Sequence, residues 1–180
     1  ELEPEPVIDI PLEPIVATDI DTAPTSGHRP IAYWKLDEGS GATAADEIGG
    51  HPGQVSGSGD GGGPFDAVAS FDGRDDYIEA PHSTEMTLQG GTLTVWISAF
   101  ATGSGTLAAK GTPAAAGHFA LWIKNAGLEF LIQSPEGAHT VGGGSIGPNE
   151  WNQVTLTWGP NGLKAYMNGE LAGADDYAGG

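Results

Sequence analysis

Three stretches of the chain alternate apolar and polar residues with a period of two. They are GTLTVWISAF (91–100), HFALWIK (118–124) and WNQVTLTW (151–158). In the first stretch, Val95 falls on one side of the chain, and Thr94 and Trp96 fall on the other. Successive side chains of a β-strand point to opposite faces, so this period indicates strands with one buried face.

Turn signals separate these stretches. Asn168-Gly169 is a favoured two-residue turn between antiparallel strands, and GPNG at 159–162 is a second turn sequence. No segment keeps a helical period, and the 30 glycines of the chain would weaken any helix. Short strands separated by such turns predict an all-β fold, a two-sheet antiparallel β-sandwich of the jelly-roll type.

The charge of the chain excludes several classes of partner. There are 24 Asp plus Glu against 6 Lys plus Arg, which gives a net charge of −18 at pH 7. Phosphate recognition needs clustered cations, so we expect neither nucleic-acid binding nor binding to anionic membranes. No apolar run approaches the length of a membrane span, so we expect no membrane insertion. Cysteine is absent, which excludes a disulfide framework, a thiolate zinc site and a cysteine nucleophile.

Residues 1–29 differ in composition from the rest of the chain. Repeated acidic residues and prolines predict an extended acidic segment, because proline fixes its own φ and biases its predecessor towards extended geometry. Composition favours a flexible linker. The aliphatic residues at 7–20 leave a second possibility open, a strand that docks on a sheet of this molecule or exchanges with another chain. We therefore divide the chain into a linker or docking segment at 1–29 and one β domain at 30–180.

The first acidic, glycine-rich stretch contains Asp37, Glu38 and Asp46. The simpler interpretation is a turn in which Gly39 and Gly41 adopt positive φ and the acids stay solvated. The alternative is a calcium site, because hard cations take carboxylate and backbone carbonyl oxygens at about 2.3–2.6 Å. Both interpretations stay open on the sequence.

The second acidic stretch, FDGRDDYIEA (71–80), contains Asp72, Asp75 and Asp76. It predicts either a hairpin with a surface ion pair of Arg74, or a calcium site on which the three carboxylates converge. The preceding GSGDGGGPFD (57–66) faintly resembles glycine-rich calcium repeats. A single copy cannot stack, so we interpret it as a loop.

Catalysis is the least favoured class of function. A retaining glycosidase needs two carboxylates about 5–5.5 Å apart, which a strand supplies as alternate acidic residues. We find no Glu-x-Asp-x-Glu spacing, and Glu129 alone lies among apolar neighbours in a predicted strand. The five histidines are scattered and offer no zinc-binding spacing. We predict no catalytic residue and keep a fragment of a glycan-degrading enzyme as a minor alternative.

Binding is the favoured class. Proteins recognise sugars by stacking pyranose rings on aromatic side chains flanked by hydrogen-bonding groups. Trp96 and Trp122 fall on the less apolar faces of their strands, and His118 and Gln133 are the polar side chains we expect beside them. The competing interpretation is core packing, because a tryptophan buries so much area. A flat aromatic patch would serve equally for binding a protein.

Four segments together carry a family resemblance. AYWKLDEGSGATAADEIGGHPGQV, ASFDGRDDYIEAP, GTLTVWISAF and GPNEWNQVTLTWGPNGLKAYMNGELAG follow in the order typical of the laminin-G-like domains of the concanavalin A-like lectin/glucanase superfamily. The chain departs from the pattern in two ways. Members carry their strand aromatic later than Trp96, and they continue beyond DDYAGG, so the domain is expected to lack its last strands.

The resemblance implies a fold and a broad role. It implies two curved antiparallel sheets, calcium as a cofactor in many members, and carbohydrate binding or adhesion by a non-catalytic module of a larger extracellular protein. We therefore expect a secreted bacterial surface module that binds a glycan or a cell-surface protein with the help of calcium. The alternative is a structural spacer domain of a long adhesin.

Overall fold

A computed structural model describes residues 29–63, 66–99 and 104–179. Within these residues β-strands are the main regular structure, with one short 3-10 helix at Thr84–Met86. The strands are β1 (Thr43–Ala44), β2 (Gly53–Ser56), β3 (Gly59–Gly63), β4 (Asp66–Ser70), β5 (Tyr77–Glu79), β6 (Gly91–Ser98), β7 (Gly105–Lys110), β8 (Phe119–Lys124), β9 (Gly127–Ser134), β10 (Gly137–Gly143), β11 (Trp151–Trp158), β12 (Leu163–Met167) and β13 (Glu170–Asp175). The docking and strand-exchange predictions for residues 7–20 lie outside the described residues.

Two four-stranded antiparallel sheets form a sandwich. Sheet I has the strand order β10-β9-β8-β7, and sheet II has the order β13-β12-β11-β6. Side chains from both sheets meet in one core cluster, whose largest fully buried members are Phe130, Leu121, Leu156, Leu163 and Val154. Burying each such side chain contributes about 1.5–3 kcal/mol. The predicted all-β sandwich is confirmed.

The strands β6 and β11 pair along their full length. Their register runs from Trp151 opposite Ser98 to Trp158 opposite Gly91. A Cβ at Gly91 would lie 2.9 Å from the Trp158 ring, so the glycine makes room for this tryptophan. The ring centroid of Trp158 lies 6.2 Å from that of Phe119, which fixes it against the core.

The hairpin between β12 and β13 turns at the predicted dipeptide. Asn168 has φ 52° and Gly169 has φ 83°, the two positive values that a type I′ turn requires. The Asn168 side chain also accepts a hydrogen bond from the backbone N–H of Gln153 at 2.9 Å. It donates another to the Asn152 side chain at 3.0 Å. The turn therefore also ties β11 to the hairpin.

The structure corrects two predictions in the N-terminal half of the domain. The prediction of a loop at 57–66 is wrong for residues 59–63, because Gly59–Gly63 forms β3 and pairs with Asp66–Ser70, which forms β4. A glycine run has no side-chain pattern, yet its backbone can still form a ladder when a partner strand is adjacent. The predicted hairpin at 71–80 is also wrong, since β5 pairs with β2 instead of β4. That stretch links two different small sheets.

Candidate binding faces and acidic clusters

One outward face of the sandwich belongs to sheet II. In β11 the side chains of Asn152, Val154 and Leu156 are buried, so the alternate positions point away from the core. Strand register extends this assignment across the sheet. We call the outward-facing positions the Trp96 face; its residues are Thr92, Thr94, Trp96, Ser98, Trp151, Gln153, Thr155, Thr157, Lys164, Tyr166, Leu171 and Ala174.

The Trp96 face places large apolar surfaces beside hydroxyl groups. Trp96 is 45% exposed and lies opposite Gln153 in the neighbouring strand. Leu171, at the other edge of the sheet, is 58% exposed. Between them, the hydroxyl oxygens of Thr94 and Thr155 lie 3.1 Å apart in a cross-strand hydrogen bond. Such pairs stabilise a sheet and leave a row of polar groups on its surface.

The charge of this face differs from that of the whole chain. Lys164 is the one charged side chain among its residues, and the face carries no carboxylate. The whole chain has 24 acidic against 6 basic residues. Among the described residues, the outward positions of sheet II therefore carry no acidic side chain.

Trp122 lies on the opposite side of the sandwich. It occupies β8 of sheet I, between the buried residues Leu121 and Ile123, and so points away from the core on the other face. Its indole Nε1 donates a hydrogen bond to the Glu129 carboxylate at 3.0 Å. Lys124 pairs with the same carboxylate at 3.4 Å. Trp96 and Trp122 therefore cannot share one sugar platform.

His118 and Gln133 belong with Trp122. His118 is only 8% exposed, and its Nδ1 donates to the carbonyl of Lys110 at 2.9 Å. The backbone N–H of Gln133 donates to the His118 carbonyl at 2.8 Å, which places both residues on sheet I. The structure thus groups three of the four predicted ligand-binding residues on one side and leaves Trp96 on the other.

Asp46 is the centre of the first acidic stretch. Its side chain is inaccessible to solvent. Its Oδ1 accepts the backbone N–H groups of Tyr33 at 2.8 Å and Ile48 at 3.1 Å. Its Oδ2 accepts those of Gly49 at 3.1 Å and His51 at 3.0 Å. Burial alone would raise the pKa of Asp46, but these four donors outweigh it and hold the pKa well below its usual range.

His51 extends this network to a distant part of the chain. Its Nδ1 lies 3.1 Å from Asp46 Oδ2. Its Nε2 lies 3.0 Å from the Ser83 hydroxyl oxygen and 3.4 Å from the Glu85 carboxylate. The sequence does not predict this arrangement, because Ser83 lies 32 residues beyond His51 and no local spacing signals the contact.

The Asp46–His51–Ser83 chain has the order of a hydrolase triad, but its surroundings favour a structural role. Glu85 shares the imidazole nitrogen that would activate the serine. These three residues also line neither the cleft of about 360 Å³ beside Tyr177 nor the cavity of about 30 Å³ at the Glu38 turn. The network fastens the Asp46 loop to the 3-10 helix.

Asp37 and Glu38 lie exposed on the turn that precedes Asp46. Gly39 and Gly41 have φ values of 69° and 126°, so their predicted positive φ is confirmed, but the expectation that the acids stay solvated is wrong for Asp46. The Glu38 carboxylate accepts the backbone N–H of Ala45 at 2.6 Å, which closes the loop locally. Within the described ranges, the acids at 37, 38 and 46 do not form a group with metal-binding separations.

Asp72, Asp75 and Asp76 do converge. One ligand oxygen from each lies within 4.8 Å of the others. Asp76 accepts the backbone N–H of Asp72 at 2.8 Å, and Asp72 accepts that of Arg74 at 2.8 Å, so the turn itself holds the carboxylates together. Oxygens bound to one calcium ion at about 2.3–2.6 Å can be no more than about 5 Å apart, and this set satisfies that limit.

The two-sheet antiparallel sandwich places this chain in the class of lectin-like β-sandwich domains. The laminin-G-like family model described as the concanavalin A-like lectin/glucanases superfamily matches residues 72–180, more than half of the chain. The chain therefore belongs to this superfamily, as the sequence resemblance implied. No curated protein matches it significantly.

Solved structures show the same fold at low sequence identity. An S-layer domain-containing protein from Clostridium thermocellum is 22% identical over 81% of this chain and 71% of its own, with a TM-score of 0.54. The binding domain of botulinum neurotoxin serotype C1 is 19% identical over 80% of this chain, with a TM-score of 0.57. The receptor-binding domain of botulinum neurotoxin D is 16% identical over 81% of this chain, with a TM-score of 0.56. The chain spans 38% and 40% of these two toxin domains.

A search of the described residues for a long apolar helix, of the kind that crosses a membrane, finds none.

Proposed function

We propose that this chain is a non-catalytic module that binds carbohydrate through the Trp96 face, within a larger secreted bacterial protein. The observation that carries the proposal is the exposed Trp96 beside Gln153 and the threonine pair of β6 and β11. A sugar ring offers an apolar face of C–H groups for stacking on an indole and hydroxyls for amide and hydroxyl partners. The face supplies both kinds of contact.

The energetics favour occupation of Trp96 by a ligand. Covering apolar surface gains about 25 cal/mol per Å², and an aromatic side chain offers 150–250 Å² in total, part of which is already covered in the sheet. The neighbouring hydroxyls of Thr94 and Thr155 are fixed by their mutual hydrogen bond and lose little freedom on binding. A module built in this way binds a sugar surface without a deep pocket.

The structural neighbours support the same class of function without identifying the ligand. Cell entry of botulinum neurotoxin type C, one of these structural neighbours, depends on interaction with two ganglioside molecules. Another neighbour is an S-layer protein domain. Adhesion to a cell-surface protein is the alternative for this chain, and a spacer domain without a ligand is the outcome if neither a glycan nor a protein binds.

Binding of the intact chain to a glycan array tests the proposal. We expect retention of at least one glycan class above the signal of a heat-denatured sample of the same chain. Retention by neither the glycans nor a panel of cell-surface proteins would contradict a binding function and leave the spacer alternative.

The proposal includes calcium at Asp72, Asp75 and Asp76. These side chains would hold the ion, which would cancel their mutual repulsion and fix the turn between β4 and β5. If the dissociation constant is about 0.1–1 mM, as in extracellular modules, 10 mM calcium stabilises the fold by about 1.4–2.7 kcal/mol. We expect the melting temperature to rise by about 3–11 °C over that in EDTA.

A matched pair of variants locates the calcium effect. Asp75→Asn should abolish the rise in melting temperature, whereas the double variant Asp37→Asn, Glu38→Gln should keep it. Superimposable melts of the wild-type chain in calcium and in EDTA would contradict the metal proposal. A rise lost only in the second variant would move the ion to the first turn.

A further inference from the structure

A cleft lies at one end of sheet II, where β6 begins, β11 ends and the chain leaves β13. Its volume is about 360 Å³, and sites for small ligands typically measure about 300–1,000 Å³. Among the described residues, those that line it are Gln89, Gly90, Pro160, Tyr177, Ala178 and Gly179. They come from three separate segments of the chain, and none of them belongs to the Trp96 face.

Close backbone contacts fix the segment before β6 against the end of β11. A Cβ added to Gly90 would lie 3.2 Å from the Trp158 carbonyl oxygen and 3.3 Å from the Gly159 Cα, so this approach requires a glycine. The Trp158 indole Nε1 also donates a hydrogen bond to the Leu88 carbonyl at 3.5 Å. These contacts join the Leu88–Gly90 segment to the turn that carries Pro160. That side of the cleft is therefore built by the fold itself.

Tyr177 supplies the aromatic surface of the cleft, and its neighbours hold its ring in place. His139 of β10 stacks on the ring, with the two centroids 3.7 Å apart and the planes 10° apart. The backbone N–H of Tyr177 donates to the Asp175 carboxylate at 2.9 Å. His139 is not among the lining residues, so the Tyr177 ring meets the cleft with its other face or its edge. An aromatic group that is already oriented loses little freedom when a ligand binds.

The lining residues determine which kind of ligand fits the cleft. None of the six has a carboxylate or a basic side chain, so the lining offers an ionic partner to neither an anion nor a cation. The Tyr177 ring can pack against the C–H face of a sugar, and the Gln89 amide can both donate hydrogen bonds to hydroxyl groups and accept them. We infer that the cleft is a second carbohydrate site, which binds one sugar residue of an uncharged glycan. This inference goes beyond the proposed function, because it needs no residue of the Trp96 face.

Saturation-transfer NMR on the full chain tests this inference. The probes are the methyl glycosides of glucose, galactose, mannose and N-acetylglucosamine, with the methyl glycoside of glucuronic acid as the charged comparison. We expect at least one neutral glycoside to bind with a dissociation constant of about 1–10 mM, the weak affinity of a single ring with few contacts. This binding should persist in Trp96→Ala, in which the proposed face has lost its aromatic ring.

Two substitutions in the Trp96→Ala background locate the sugar. Gln89→Ala should raise the dissociation constant at least threefold, and Gln54→Ala is its matched control, because both glutamines are exposed and only Gln89 lines the cleft. Tyr177→Ala should abolish binding in a sample whose unfolding curve shows that it is folded. If that variant does not fold, the comparison of Gln89→Ala with Gln54→Ala decides.

The outcomes separate this inference from the proposed function. Loss of all glycoside binding in Trp96→Ala would overturn the inference and keep the Trp96 face. Equal affinities for Gln89→Ala and Gln54→Ala would overturn the role of the cleft. Binding of the glucuronide as strong as that of the neutral glycosides would contradict the uncharged ligand. Absence of saturation transfer to every neutral glycoside at tens of millimolar would also overturn the inference, whereas the glycan array tests the proposed function separately.

Discussion

Asp46→Asn is expected to lower the free energy of unfolding by about 3–5 kcal/mol, the largest loss that we predict for a single substitution in this chain. The carboxylate is inaccessible to solvent and accepts four backbone N–H groups. An asparagine offers one acceptor oxygen and turns an amide NH₂ towards the remaining donors. The loop would then hold unsatisfied N–H groups beside His51 and lose its link to the 3-10 helix.

Urea unfolding monitored by tryptophan fluorescence measures this loss. Asp37→Asn is the matched control, because Asp37 is exposed on the preceding turn and a surface substitution of this kind changes stability by no more than about 0.5 kcal/mol. Equal unfolding midpoints for the two variants would show that the Asp46 network does not hold the domain together.

The pH dependence of the same measurement follows from the lowered pKa of Asp46. A carboxyl whose folded-state pKa lies below its unfolded value of about 3.9 stabilises the protein fully above that value. The contribution then shrinks as the pH falls towards the folded-state pKa. The difference in stability between wild type and Asp46→Asn should decrease as the pH falls below about pH 4.

The sandwich was predictable where side chains alternate. The period-two stretches became β6, β8 and β11, and Asn168-Gly169 formed the predicted turn, because both signals act within a few residues. The strand β3 gave no such signal. Its glycines carry no side chains to form a pattern, and its pairing depends on β4 lying alongside.

The candidate site was predictable only in part, because its composition depends on strand order. Alternation correctly placed Trp96 and Trp122 on the less apolar faces of their strands. It could not show that β6 pairs with β11, which follows much later in the chain, while β8 belongs to the other sheet. The acid-free surface emerges only when β6, β11, β12 and β13 lie side by side.

The Asp46 network could not be predicted from the local sequence either. Asp46 was identified as a candidate metal ligand from its acidic, glycine-rich surroundings. Its partners include Tyr33, thirteen residues earlier, and, through His51, Ser83 much further on. A carboxylate that already accepts several backbone hydrogen bonds and a carboxylate that can bind a cation can have the same local sequence. Only tertiary contacts distinguish them.

Substitution of the two outward tryptophans tests the central claim, that the Trp96 face carries the binding function. Both side chains lie on strand surfaces, on opposite sides of the sandwich, and the Trp122 indole donates a hydrogen bond to Glu129. Truncating a core tryptophan costs about 3–5 kcal/mol, so an unfolding curve for each variant separates loss of binding from loss of the fold. Trp122→Ala is therefore the matched control for Trp96→Ala.

The decisive measurement is the bound fraction of Trp96→Ala and Trp122→Ala on the glycan that the wild-type chain retains, at equal concentrations of folded protein. We predict at least a tenfold lower association constant for Trp96→Ala, equivalent to about 1.4 kcal/mol of binding free energy or more, and less than a twofold change for Trp122→Ala. The reverse pattern, with binding lost only in Trp122→Ala, would place the site on sheet I with His118 and Gln133 and contradict the account.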